Sequence, residues 1–147
     1  MGAAPARPAR IILDANILVS AVIASGRASG SALGQTVDRA FEGLVVVIAC
    51  PHLLTEVERA LRSQRLVKWV RVDEVAGAME WIIGGSRVVP DPDRIIPACR
   101  DPADDYLVAL ARRELATIVT GDNDLLSLQG GGIDVITIGE LAATLRT

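Results

Sequence analysis

Apolar positions along this chain fall into two kinds of run that alternate from one end to the other. Short continuous runs at Ile11 to Leu13, Leu44 to Ala49, Arg87 to Val89, Ala116 to Val119 and Ile133 to Ile136 predict strands. Unbroken aliphatic and β-branched residues suit strands covered on both faces. Longer runs of helical period lie between them. Ile17 to Ala24 follows Asp14-Ala15-Asn16, Ala32 to Glu42 is closed by Gly43, and Pro51 starts a helix with the stripe Leu53, Leu54, Val57 and Leu61. Asp73 is placed to cap a helix through Ile83, with Met79, Ile82 and Trp81 inward and Gly84-Gly85 as its stop. Thr137 and Glu140 predict a capping box for the last helix. The connections are a Ser/Gly-rich stretch from Gly26 to Gly34, a proline-punctuated loop from Pro90 to Pro97, and the turn Gly130-Gly131-Gly132. Alternating strands and helices predict a three-layer α/β domain, its central parallel sheet flanked by helices.

Composition narrows this picture. A chain of 147 residues is one ordinary domain: a tail over residues 1–10, rich in Ala, Pro and Arg, then a single folded unit over 11–147. Half the residues are hydrophobic and only 3% aromatic, so the core must be built from Val, Ile, Leu and Ala. No apolar run reaches the roughly 18 residues a membrane span needs, and no signal peptide opens the chain, which predicts a cytoplasmic protein. A net charge of −3 argues against binding nucleic acid by bulk electrostatics. It leaves open a protein that meets phosphate through metal ions. Fourteen cations are arginine and only Lys68 is lysine. Arg59, Arg62, Arg65, Lys68 and Arg71 recur every third residue, a row that reads as a solvated helix edge. Cys50 and Cys99 lack any metal-binding spacing and read as small buried thiols. His52 is the only histidine, so a His-based metal site or a Ser-His-Asp triad would rest on that one residue, which reads as a surface or first-turn residue of a helix.

The chemistry gathers in the stretch from Arg100 to Leu126. Asp101, Asp104 and Asp105 stand where an amphipathic run begins, and Asp122 and Asp124 stand just past a strand. Asp101-Pro102-Ala103-Asp104 is a good helix start: N-cap, proline at N1 and an acid in the first turn. Asp105 lies about 160° around the helix from Leu107, so neither capping nor burial would select it. Asp14 ends the first strand, and Glu56 and Glu58 flank the apolar stripe of the next helix, either one able to face the same edge. Each acid has a bland reading as a cap or a solvated charge. Together, four elements deliver carboxylates toward one end of the sheet, and an oxygen-rich set of this kind suits Mg²⁺ or Mn²⁺ acting on a phosphodiester.

The segments LDANILVSAV, CPHLLTEVERAL, CRDPADDYLVALA and IVTGDNDLL, in this order and spacing, resemble the PIN-domain family, in its bacterial branch similar to the VapC toxins of toxin-antitoxin systems. The resemblance covers nearly all of Ile11 to Leu145. It implies a flavodoxin-like parallel sheet of about four or five strands and a divalent-metal-dependent endoribonuclease that cuts single-stranded RNA, leaving 5′-phosphate ends. By position it implies Asp14, Glu56, Asp105 and Asp122 as the four catalytic, metal-binding acids. Asp124 competes with Asp122 and Asp104 with Asp105 as direct ligands, and Asn16 and Thr120 are supporting polar neighbours. A cognate antitoxin and a homodimer are implied as partners. Two rivals remain: a PIN-like domain that has lost activity and serves as a binding module, and a receiver-like phospho-acceptor domain. The second calls for a lysine at the end of its last strand, where this chain has none.

Overall fold

The computed structural model describes residues 6–25 and 31–146. At its centre is β1 (Arg10–Leu13), in which Ile11, Ile12 and Leu13 are completely buried. Successive strand side chains point to opposite faces, so burial of three in a row requires cover on both. Each of the three stabilises the fold by about 1.5–3 kcal/mol. On one side β1 pairs with β2 (Val46–Ala49), which pairs with β3 (Arg87–Val88). On the other it pairs with β4 (Thr117–Val119), which pairs with β5 (Val135–Ile136). All pairings are parallel, in the order β3-β2-β1-β4-β5. Growth of the sheet therefore reverses between β1 and β4. Open α/β sheets bind ligands at such a reversal, which flavodoxin-like sheets also place beside their first strand.

Helix α1 (Ala15–Ser25) leaves β1 after a single residue, Asp14, and packs on α2 (Ala32–Arg39) and α3 (Pro51–Leu61). Leu53, Val57 and Leu61 of the predicted stripe are buried and Leu54 is half-buried. In the Gly26 to Gly34 connection, residues 26–30 lie outside the described residues; Ser31 caps α2 by accepting from the Gly34 amide. The expected helix to Glu42 is regular only through Arg39. A π turn, Ala40–Leu44, follows, and Gly43 takes a φ of +97° that an L side chain would resist. That turn consumes Leu44, which is why β2 starts at Val46.

Asp73 does not cap the helix through Ile83. A 3₁₀ turn, Val72–Glu74, comes first, with Glu74 accepting from the Arg71 amide at 3.0 Å, and Asp73 is exposed beside the Arg71 guanidinium. Then α4 (Val75–Gly84) buries Met79 and Ile82, while Trp81 is half-buried, edge-on to Phe41 at 5.0 Å. Phe41 lies so close to Gly85 that an added Cβ would come within 2.4 Å of its ring. The basic row does not share one helix, because α3 ends at Leu61. Arg62 pairs with Glu58, and Arg71 with Asp73. Trp69 is 54% exposed.

After the proline loop, α5 (Asp105–Glu114) packs on β4 and β1. Arg10, the first residue of β1, grips the end of α5 through the Glu114 carbonyl at 2.7 Å and its carboxylate at 2.6 Å. Leu115 ends α5 in the left-handed region, φ +53° and ψ +46°, while 86% exposed. A leucine there loses helical geometry without gaining burial. Leu115→Gly is expected to stabilise the protein by about 0.5–1 kcal/mol, read as a higher denaturant midpoint at unchanged slope. After α6 (Asn123–Leu126), the last strand is shorter than expected, though Ile133 remains buried beside it. Thr137 and Glu140 form the predicted capping box on α7 (Ile138–Thr144).

Candidate functional site

The ends of β1 and β4 are tied by one polar chain. Asp14 accepts from the Ile17 amide at 2.9 Å through Oδ1, which caps α1, and from the Thr120 hydroxyl through Oδ2. Its own amide donates to the Val119 carbonyl at 3.1 Å. Thr120 is fully buried and also accepts from the Asp122 amide at 3.0 Å. Asp122 in turn caps α6 by accepting from the Asp124 amide at 2.9 Å. Both Asp14 and Asp122 thus do perform the bland capping role. Capping does not account for their charge, however. Asp14 is only 5% exposed, and burial pushes its pKa up, the bonds from Thr120 and Ile17 oppose that, and the carboxylates of Asp122 and Glu56 push it further up. The net direction is upward: this carboxylate is uncomfortable as an anion.

Two neighbours on the central stretch separate. Asp104, half-buried, is pushed up to about 6, first by burial and then by the carboxylates of Asp101, Asp122, Glu56 and Asp14. Those leading influences include no cation. Asp105 behaves in the opposite way. It is 5% exposed, and its Oδ1 accepts from the Ala98 amide at 3.1 Å and the Cys99 amide at 2.7 Å, which hold its pKa below the usual carboxylate range. Asp105 is thus buried, against the expectation from its helical angle to Leu107. Tyr106, Leu107, Val108, Leu110 and Ala111 are buried too, so α5 has hardly any solvent side at its start and the proline loop covers Asp105. Asp101 caps the 3₁₀ turn Pro102–Asp104 through the Ala103 amide, as its position predicted.

Between the two glutamates of α3, it is the charge of Glu56 that reaches both Asp14 and Asp104, while Glu58 is exposed and paired with Arg62. Asp124 is exposed, 4.0 Å from the Arg100 guanidinium, and is not among the leading influences on Asp14 or Asp104. Asn16 is exposed on the first turn of α1. Cys50 is buried and Cys99 half-buried; burial first, and then aspartates beside them, push both thiols up, to about 11 and about 12.

Sequence reasoning missed two neighbours of the site. His52 does sit in a first turn, but its Nε2 lies 3.2 Å from Glu56 Oε1 and its ring lies against that of Tyr106, centroids 4.1 Å apart. Tyr106 drew no attention in the sequence, although it is the only tyrosine and directly follows Asp105. The available signal for His52 was its spacing of one helical turn from Glu56.

Asp14, Glu56, Asp104 and Asp122 thus come from four elements to the reversal point of the sheet and oppose one another electrically. Among the described residues, no three His, Cys, Asp or Glu side chains are drawn close enough to hold a metal ion as they stand. The donors nevertheless suit a hard divalent cation in kind, since all are carboxylate oxygens and their mutual repulsion is what such a cation relieves. The acids fit an ion that completes the site by drawing them in.

Comparison with known proteins places this architecture. Over 120 residues the chain is 28% identical to an uncharacterized protein of Methanocaldococcus jannaschii, covering 82% of this chain and 75% of that one. Its fold is similar to that in the crystal structure of VapBC2 from Rickettsia felis bound to a DNA fragment from their promoter, with a TM-score of 0.60, 12% identity, and coverage of 87% of this chain and 98% of that one. It is similar also to PAE2754 from Pyrobaculum aerophilum, with a TM-score of 0.61, 15% identity, and coverage of 93% and 89%. The PIN-domain profile matches residues 10–124, from the first residue of β1 to Asp124 beyond β4, and so includes every acid of the site; the chain belongs to the PIN-domain family.

Proposed function

We propose that this protein is a divalent-cation-dependent endoribonuclease that hydrolyses single-stranded RNA, and that it serves as the toxin of a toxin-antitoxin pair. The observation that carries the reading is the mutual repulsion of Asp14, Glu56, Asp104 and Asp122 at the reversal point of the sheet, with no cation among the leading influences. Family membership supports nuclease chemistry, and the VapBC2 neighbour supports an antitoxin as partner. Mg²⁺ or Mn²⁺ held by these four carboxylates would supply charge neutralisation at the phosphodiester and activation of the attacking water. Thr120 fixes the orientation of Asp14 and ties it to Asp122. Asp105 contributes by anchoring the loop at Ala98 and Cys99, which sets where α5 begins and therefore where Asp104 points. Hydrolysis would leave a 5′-phosphate on the downstream fragment and a 3′-hydroxyl on the upstream one.

A cytoplasmic homodimer, covered by its antitoxin when silent, completes the reading. None of the described helices is long and apolar enough to cross a membrane. The test is incubation of purified protein with structured and unstructured RNAs in Mg²⁺ or Mn²⁺, with EDTA as control. Cleavage of the unstructured RNA that stops in EDTA is expected. Cleavage that survives exhaustive chelation would exclude the cation mechanism, and RNA binding without cleavage would identify a binding module instead.

A further inference from the structure

One buried polar atom at this site has no partner. Tyr106, on the first turn of α5, is 3% exposed, and its hydroxyl makes no hydrogen bond, alone in this among the buried side-chain oxygen and nitrogen atoms of the described residues. A buried hydroxyl left unpaired is costly, and native structures seldom keep one without a use. The Glu56 carboxylate stands beside this phenol without completing a bond to it, and burial, followed by that carboxylate, pushes the phenol pKa upward. Meanwhile Glu56 is engaged by half-exposed His52, whose ring rests on the Tyr106 ring. So the carboxylate has the His52 ring nitrogen 3.2 Å away at the surface, and a buried donor beside it that is idle. Asp14 and Asp104 are near enough to Glu56 for their carboxylates to repel its own. A divalent cation would remove that repulsion and leave Glu56 able to settle on the idle donor.

Building on the proposed cation site, we propose that Tyr106 is the positioning residue for Glu56: its hydroxyl donates to one carboxylate oxygen once a cation neutralises the cluster, so that the other oxygen faces the cation. Tyr106 acts through Glu56 and touches neither RNA nor the reacting phosphorus.

The test compares wild type, Tyr106→Phe and Glu56→Gln as full-length protein, with Mg²⁺ as the probe. Calorimetric titration is expected to show Mg²⁺ binding about tenfold weaker in Tyr106→Phe, the loss of one hydrogen bond to a charged group. In EDTA the same variant should melt no lower than wild type, because it discards an unpaired hydroxyl. A tyrosine with only a packing role would leave both melting and Mg²⁺ affinity unchanged in Tyr106→Phe, because phenylalanine keeps the ring. Because Tyr106 is the sole tyrosine, ¹³Cζ labelling yields one tyrosine resonance. Mg²⁺ should shift it in wild type and leave it nearly still in Glu56→Gln at saturating Mg²⁺. Equal affinities for wild type and Tyr106→Phe, or a resonance that stays fixed while calorimetry records binding, would overturn the positioning role and leave the cation reading intact. Wild type that binds no Mg²⁺ would overturn both.

Discussion

Asp14→Asn is expected to lower RNA cleavage by roughly 10²–10³-fold, the range seen when one preorganised electrostatic group is removed from an active site, and yet to melt above wild type in EDTA. The two effects have one cause. Asp14 is buried, and its pKa is raised in spite of hydrogen bonds from Thr120 and Ile17, so burial and the repulsion from Asp122 and Glu56 outweigh those bonds. A group whose folded pKa lies above its unfolded value makes the fold less stable as its charge is forced on it. The penalty is absent below the unfolded value of 3.8 and is complete once pH has risen past the raised folded pKa. Asparagine keeps the shape and an acceptor for the Ile17 amide and removes the charge. Its melting advantage should therefore appear at neutral pH and fade on acidification. Mg²⁺ should raise the melting temperature of wild type more than that of the variant, because the unfolded chain has no assembled site. A variant that melts below wild type in EDTA and responds equally to Mg²⁺ would mark Asp14 as a structural cap and no more.

Asp104→Asn should lose cleavage to a similar degree, on the order of 10²-fold or more, whereas Asp105→Asn should retain most of it. An asparagine oxygen at position 105 can still accept from both Ala98 and Cys99, since one carboxylate oxygen accepts both bonds. Asp105→Ala removes that acceptor and should lower the melting temperature by several degrees. The pH dependences differ in sign. Asp104 is raised to about 6, so wild type should lose stability as pH climbs from near 3.8 through about 6, a slope that Asp104→Asn removes in part. Asp105 is depressed, so its contribution is present above 3.8 and is lost as pH falls through its lower folded value. Cleavage assays with thermal melts across that range separate the two. Loss of activity in Asp105→Asn with retention in Asp104→Asn would exchange their roles.

Much of this arrangement was legible in the chain. Unbroken aliphatic runs gave the positions of the strands along the chain and their parallel nature, because burial on both faces leaves a composition that no exposed strand tolerates; their order in the sheet did not follow from the runs. Acids at strand ends gave Asp14 and Asp122, and the N-cap pattern gave Asp101. What stayed illegible depended on tertiary cover. Asp105 looked solvated because helical angles assume that one side of α5 meets water, and the loop holding Ala98 and Cys99 is far from periodic. Gly43 was read as a helix stop, but its positive φ also consumed Leu44, which pattern alone assigns to the strand. The basic row assumed one continuous helix, and α3 ends before four of its five residues. His52 and Tyr106 became neighbours only when α5 docked beside α3, a contact between residues that sequence spacing cannot suggest.

If Asp14, Glu56, Asp104 and Asp122 act together as one cation site, as proposed, the most direct measurement is the anomalous signal of Mn²⁺ in crystals of the protein. A peak is expected beyond the carboxyl ends of β1 and β4, ligated by oxygens of those four residues, with Asp105 still bonded to the Ala98 and Cys99 amides. A peak held instead by other acids, such as Asp73 or Asp134, or none between β1 and β4 at saturating Mn²⁺, would contradict it.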